Sequence, residues 1–110
     1  MNERQLQDFV RETALTGNWL YFHSADSRKQ AGDKMVGDSE SKGFPDTLMI
    51  HRHSAHMVIA ECKVPPNKTT PEQDEWLEAF RRSGQEVYIW TPADQDAILE
   101  RLLGDRVISS

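Results

Sequence analysis

A single cysteine, Cys62, stands in a chain of 110 residues, which leaves no internal disulfide and no paired-cysteine zinc motif. Nor does any apolar run approach the roughly 18 residues of a membrane span. The opening Met1-Asn2-Glu3-Arg4-Gln5 is charged where a signal peptide needs an apolar core. No glycine-rich loop able to cradle a phosphate is present, and no Ser-His-Asp arrangement is evident. A basic excess is missing too, because 13 Lys and Arg against 18 Asp and Glu give a formal net charge of −5. Nucleic-acid binding normally leaves a basic footprint. Net charge says little about where charges sit, however, and metal-binding carboxylates add negative charge that a divalent cation offsets. These absences describe a soluble protein of a reducing cytoplasm, where a lone thiol needs no partner, and they leave phosphodiester chemistry open.

What is present suits one compact domain, residues 1–110, with a modest core drawn from a 37% hydrophobic fraction. From Asn2 to about Thr16, Leu6, Phe9, Val10, Thr13 and Ala14 recur at helical spacing, and Gly17-Asn18 is a natural stop. Trp19 to His23 reads as a short aromatic strand. Ser24 to Gly43 is almost free of apolar residues and is either a disordered insertion or a DNA-contacting flap. Thr47 to Ile50 and Met57 to Ala60 are apolar runs flanking a polar turn, a β-hairpin pattern. Thr70, Pro71 and Gln73 have the spacing of an N-cap, an N1 proline and a capping-box partner. The helix they open carries Trp76, Leu77, Ala79 and Phe80 and stops at Ser83-Gly84. Glu86 to Thr91 is a strand, and Pro92-Ala93-Asp94 opens a last helix that Gly104 is expected to close. Beyond it, Val107 and Ile108 either fray or dock. The order is αβββαβα, an α/β domain with one mixed sheet flanked by helices.

The hairpin concentrates the chemistry. A loop of even length centred on Ser54-Ala55 sets Asp46 opposite Lys63 and Leu48 opposite Glu61. Glu61 and Lys63, two apart on one strand, point to the same face, and Asp46 joins them across the ladder. A one-residue slip would move Asp46 to the other face. Two carboxylates with room for water make a hard-oxygen site suited to Mg²⁺ or Mn²⁺, and the backbone carbonyl of Cys62 offers another oxygen. Lys63 beside such an ion would orient a nucleophilic water or stabilise a phosphoryl transition state. Glu-x-Lys alone fits a pair of polar residues on a half-exposed strand far better than a catalytic site, as short motifs often do.

Gly43-Phe44-Pro45-Asp46, fourteen residues, Glu61-Cys62-Lys63, and then Gln73 at a helix start together resemble the PD-(D/E)XK nuclease superfamily. Within it the chain is most similar to the stand-alone VRR-NUC type. The likeness takes in Glu3 in the first helix, Gly17-Asn18-Trp19, His23, Ser27-Arg28, Gln73-Asp74-Glu75-Trp76-Leu77, Gly84, Val87-Tyr88-Ile89-Trp90 and Thr91-Pro92-Ala93-Asp94. The resemblance implies a restriction-endonuclease-like fold and Mg²⁺- or Mn²⁺-dependent hydrolysis of DNA. It implies that Asp46 and Glu61, with the Cys62 carbonyl and Glu3, hold metal, that Lys63 serves the attacking water, and that Gln73 lies beside the site. It also implies a homodimer acting on branched DNA such as four-way junctions, with His23, Ser27, Arg28 and Lys29 on the DNA side. The alternatives are a non-catalytic DNA-binding module on the same fold and a protein-binding adaptor.

The remaining candidates have plainer explanations. His51, His53 and His56 read as solvated turn residues. Cys62 lies roughly 20 Å up the strand from His56, too far to complete a zinc site with them. Arg81 and Arg82 sit at a helix C-terminus, where the macrodipole explains them. Trp19, Trp76 and Trp90 are expected in the core rather than under nucleobases.

Overall fold

The computed structural model describes residues 1–24 and 40–108, with backbone alone for 105–108. Ser27, Arg28, Lys29 and most of the Ser24–Gly43 segment lie outside the described residues, as do the side chains of Val107 and Ile108. The elements are α1 (Glu3–Thr16), β1 (Trp19–His23), β2 (Thr47–His51), β3 (Met57–Cys62), α2 (Pro71–Arg82), β4 (Glu86–Trp90), a 3₁₀ turn at Pro92–Asp94, and α3 (Gln95–Ile108). The sheet order is β1-β2-β3-β4. Its first two pairings are antiparallel and the last is parallel. A parallel pair needs a crossover, and α2 is that crossover.

The helices α1 and α2 and the 3₁₀ turn that leads into α3 each begin where the sequence supplies a cap. Asn2 Oδ1 accepts from Gln5 N–H at 2.8 Å while Gln5 Oε1 accepts from Asn2 N–H at 2.7 Å, a reciprocal capping box. Leu6, Val10, Thr13 and Ala14 then bury one stripe of α1. Gly17 ends α1 against α3, where an added Cβ would stand 2.1 Å from the carbonyl oxygen of Leu102. Trp19 Nε1 donates to that same oxygen at 2.7 Å, so the first strand and last helix meet at a point with no room for a side chain.

Gly104 does not close α3, which continues to Ile108. The backbone at Gly104 stays helical instead of entering the left-handed cap conformation, and nothing crowds the position. A glycine inside a helix costs about 1 kcal/mol relative to alanine, which is not enough to stop it.

The main core lies between one sheet face and the pair α1 and α3. Trp19, Met49, Val58, Ala60, Cys62 and Trp90 meet Leu6, Val10, Ala14, Ile98 and Leu102 there. The other sheet face carries Glu61, and α2 packs on it chiefly against β4. Phe44 wedges against α2 with ring centroids 5.0 Å from Trp76 and 5.8 Å from Phe80. Trp19 and Trp90 are core residues as expected, whereas Trp76 is half-buried and donates its Nε1–H to the Lys42 carbonyl at 3.1 Å.

The hairpin register differs from the expected one by two residues in the pairing. Thr47 faces Ala60 and Leu48 faces Ile59, so the pairing extends to Asp46 opposite Glu61 rather than opposite Lys63. The turn is centred one residue earlier, on His53-Ser54, because His51 takes part in it. His51 is 1% exposed and packs edge-on against Trp19 with ring centroids 5.2 Å apart. Its Nδ1 accepts the N–H groups of His53 and Ser54 at 3.1 and 3.2 Å. Ala55 closes the turn with a φ of +63°. His51 is therefore a buried turn-former and not a solvated histidine, while His53 and His56 are exposed. A shift of two leaves side-chain parity unchanged, so Asp46, Glu61 and Lys63 keep one face.

Candidate active site

Glu61 lies at the centre of the cluster and is 1% exposed. A carboxylate taken out of water needs donors, and three groups supply them. Its Oε1 accepts from the backbone N–H of Asp46 at 3.1 Å, and its Oε2 accepts from Gln73 Nε2 at 3.1 Å. Lys63 Nζ stands 3.7 Å from the same Oε2 and is itself only 14% exposed. Burial and the neighbouring Asp46 charge nevertheless push the Glu61 pKa up to about 8, against the opposing pull of Lys63 and the Asp46 N–H. Glu3, on the first turn of α1, adds a smaller like-charge push.

Asp46 enters the strand just after Pro45, and this order matters for the backbone. Its Oδ2 accepts the Cys62 N–H at 3.0 Å, leaving Oδ1 with no hydrogen bond among the described residues. Lys63 N–H bonds to the Trp90 carbonyl at 2.9 Å, so by strand alternation the polar groups of Cys62 point the other way, toward β2. The register sets Pro45 opposite Cys62, and proline has no N–H to give. The Cys62 carbonyl is thus left beside Asp46 without its ladder donor. The Cys62 side chain takes no part, since it faces the core and burial pushes its thiol pKa far up.

Gln73 reaches Glu61 because the α2 cap holds it. Thr70 Oγ1 accepts from Gln73 N–H at 3.1 Å, and Gln73 Oε1 accepts from Thr70 N–H at 2.9 Å. That is the expected capping box, and it leaves the amide nitrogen for Glu61. Gly43 brings this helix start against the Asp46 turn. Its φ is +87°, and a Cβ there would lie 2.6 Å from the Glu72 backbone.

Comparison with known proteins bears on the fold. No family model and no curated protein matches the chain. Among solved structures, one described as "VRR_NUC domain" superposes with a TM-score of 0.66 at 22% identity, covering 89% of this chain and 94% of that one. A second, "VRR_NUC domain protein", gives a TM-score of 0.55 at 20% identity over 99% of this chain and 86% of that one. The fold is that of a VRR_NUC domain.

On this VRR_NUC fold the donor set suits a hard divalent cation. Asp46 and Glu61 are carboxylates, and the Cys62 carbonyl and Asp46 Oδ1 lack donors among the described residues. The raised Glu61 pKa marks a like-charge pair that a cation would relieve. Among the described residues no three His, Cys, Asp or Glu side chains gather closely enough to hold a metal. Glu3 therefore acts on Glu61 through its charge and is not grouped with Asp46 and Glu61. The other coordination positions would fall to water and phosphate oxygens, which is usual for Mg²⁺.

His23 is exposed at the end of β1, and the side chains it was expected to accompany, Ser27, Arg28 and Lys29, are outside the described residues. The contribution of Pro45 through its missing N–H was legible in the Pro-Asp pair only once the register was known. Tyr21 had no sequence signal. Burial raises its hydroxyl pKa, and the charge of Asp46 adds to the effect.

Proposed function

We propose that the chain is a Mg²⁺- or Mn²⁺-dependent nuclease that hydrolyses DNA phosphodiester bonds, acting as an endonuclease on structured or branched DNA. The observation that carries this reading is the buried Glu61 carboxylate, paired with Asp46 and held by Gln73 and Lys63 on one sheet face. A carboxylate kept near 8 by burial and a like charge is costly unless a cation completes it.

Asp46, Glu61 and the Cys62 carbonyl would hold the ion. When bound, such an ion eases deprotonation of water and neutralises charge on the phosphate. The chain's own groups do the rest. Gln73 fixes the Glu61 carboxylate through Nε2, so that it needs no reorganisation when substrate arrives. The Lys63 ammonium, close to Glu61, donates hydrogen bonds to a water or to the phosphate oxygens on which charge builds. The reading extends to a homodimer acting in the cytoplasm of a bacterial or phage-infected cell, with DNA as its substrate.

The test is incubation of supercoiled, linear and four-way-junction DNA with Mg²⁺, Mn²⁺ or EDTA. Metal-stimulated cleavage of any of them supports the proposal. DNA binding without cleavage on every substrate favours a non-catalytic module on the same fold. Absence of DNA affinity together with a stable stoichiometric protein partner favours an adaptor.

A further inference from the structure

The sheet face that carries Asp46 and Glu61 extends toward β1 as an apolar surface. Leu20 faces Ile50 and Phe22 faces Leu48 in the β1–β2 register, and all four share the face of Asp46 by parity. Leu48 and Ile50 are half-buried, whereas Leu20 is 50% and Phe22 56% exposed, the highest value for any large hydrophobic side chain among the described residues. A single exposed hydrophobe usually means little. The position of this one is informative. The same pairing continues to Ser24 opposite Asp46, with Ser24 N–H donating to the Asp46 carbonyl at 2.7 Å. Phe22 therefore lies diagonal to Asp46, roughly 7–8 Å away across the ladder. At about 3.4 Å per stacked nucleotide, that is a span of about two nucleotides.

The charge balance favours the same use of this surface. A chain of net charge −5 has no overall excess of positive charge with which to hold a duplex by its phosphates. Lys63, the cation of this cluster, is largely buried against Glu61. Stacking on an aromatic ring supplies affinity without phosphate contacts, but only unpaired bases offer their faces to it.

We infer that Phe22, backed by Leu48, is a stacking platform for an unpaired nucleobase beside the scissile phosphate. The substrate class is then DNA with unpaired nucleotides next to the cleaved bond, in preference to continuous duplex. This inference rests on the nuclease reading above and adds the substrate feature that the site selects.

The experiment uses single strands carrying 2-aminopurine at successive positions, with Ca²⁺ in place of Mg²⁺ so that binding is measured without turnover. Fluorescence quenching at one or two adjacent positions is expected with the parent protein. Phe22→Ala should lose the quench and bind the strand roughly tenfold more weakly, Phe22→Trp should keep both, and affinity for blunt duplex should be equal in all three. Unchanged quenching and affinity in Phe22→Ala overturn the inference. So does a change in sedimentation mass on that substitution, which would assign the face to a second copy of the chain. A parent protein that cleaves DNA but quenches no labelled position sinks the inference and leaves the nuclease reading intact. A parent that neither cleaves nor binds any DNA sinks both.

Discussion

The side-chain amide of Gln73 divides its two ends between a helix and a carboxylate, accepting the Thr70 N–H through Oε1 and donating to Glu61 through Nε2. The start of α2 and the centre of the candidate site thus share one residue. Gln73→Ala removes both contacts and should destabilise the domain by about 1–2 kcal/mol, or roughly 5–10 °C in Tm. Gln73→Glu should keep the cap, since glutamate serves equally well there, yet set a second carboxylate against Glu61. The helix cap should survive while the affinity for Mg²⁺ rises, because the ion offsets the added negative charge. Thermal melts paired with metal titrations separate the two effects, and equal metal affinity in Gln73→Glu would deny Gln73 its hold on Glu61.

Lys63→Ala should keep the fold and lower the rate of DNA cleavage by about 10²–10³-fold, the usual loss when one preorganised donor to a developing charge is removed. Circular dichroism checks the first half and a plasmid-nicking assay the second. Equal rates in the two proteins would remove Lys63 from the mechanism.

Glu61 makes the metal-free protein sensitive to pH. Its pKa stands near 8 in the folded chain against 4.5 as the ordinary value, so between these limits the native state binds a proton that the unfolded state has lost. Stability is then greatest below about pH 4.5 as far as this group is concerned, and declines as pH rises toward 8. Urea midpoints measured in EDTA should fall across that window. Glu61→Gln should flatten the slope, and saturating Mg²⁺ should abolish it, because the ion keeps the folded carboxylate charged as it already is in the unfolded chain. A slope identical in parent and Glu61→Gln would show that other groups set it.

Gly43→Ala should be more damaging than a surface change of one methyl group. The new Cβ would meet the backbone of Glu72, and the positive φ adds strain of about 1–3 kcal/mol. Moving this turn also moves Asp46 away from Glu61, so cleavage should fall together with Tm. Full activity at a reduced Tm would show that the turn only stabilises.

The sequence carried the fold in its periodicities and caps. Thr70-Pro71-Gln73 marked the start of α2 because a capping box depends on near neighbours only. The alternation of β2 and β3 put Asp46, Glu61 and Lys63 on one face because parity survives an even slip. Which residue faces which did not follow, since it was decided by the burial of His51 against Trp19, a contact across strands that no local pattern records. Gly104 misled for the converse reason. Glycine is permitted both in a helix and at its end, and the choice between them depends on neighbours beyond the local sequence. Pro45 was legible as a residue, but its effect on the Cys62 carbonyl required the register first.

Cys62 carries the chain's only thiol, fully shielded by the core while its main-chain carbonyl belongs to the proposed cation site. A maleimide can reach that sulfur only after β3 has parted from the helices behind it. The rate of alkylation therefore times the opening of the same strand that holds Glu61, and a bound ion that slows the parting of the sheet from its core would be visible as protection of a single sulfur atom, with no residue substituted.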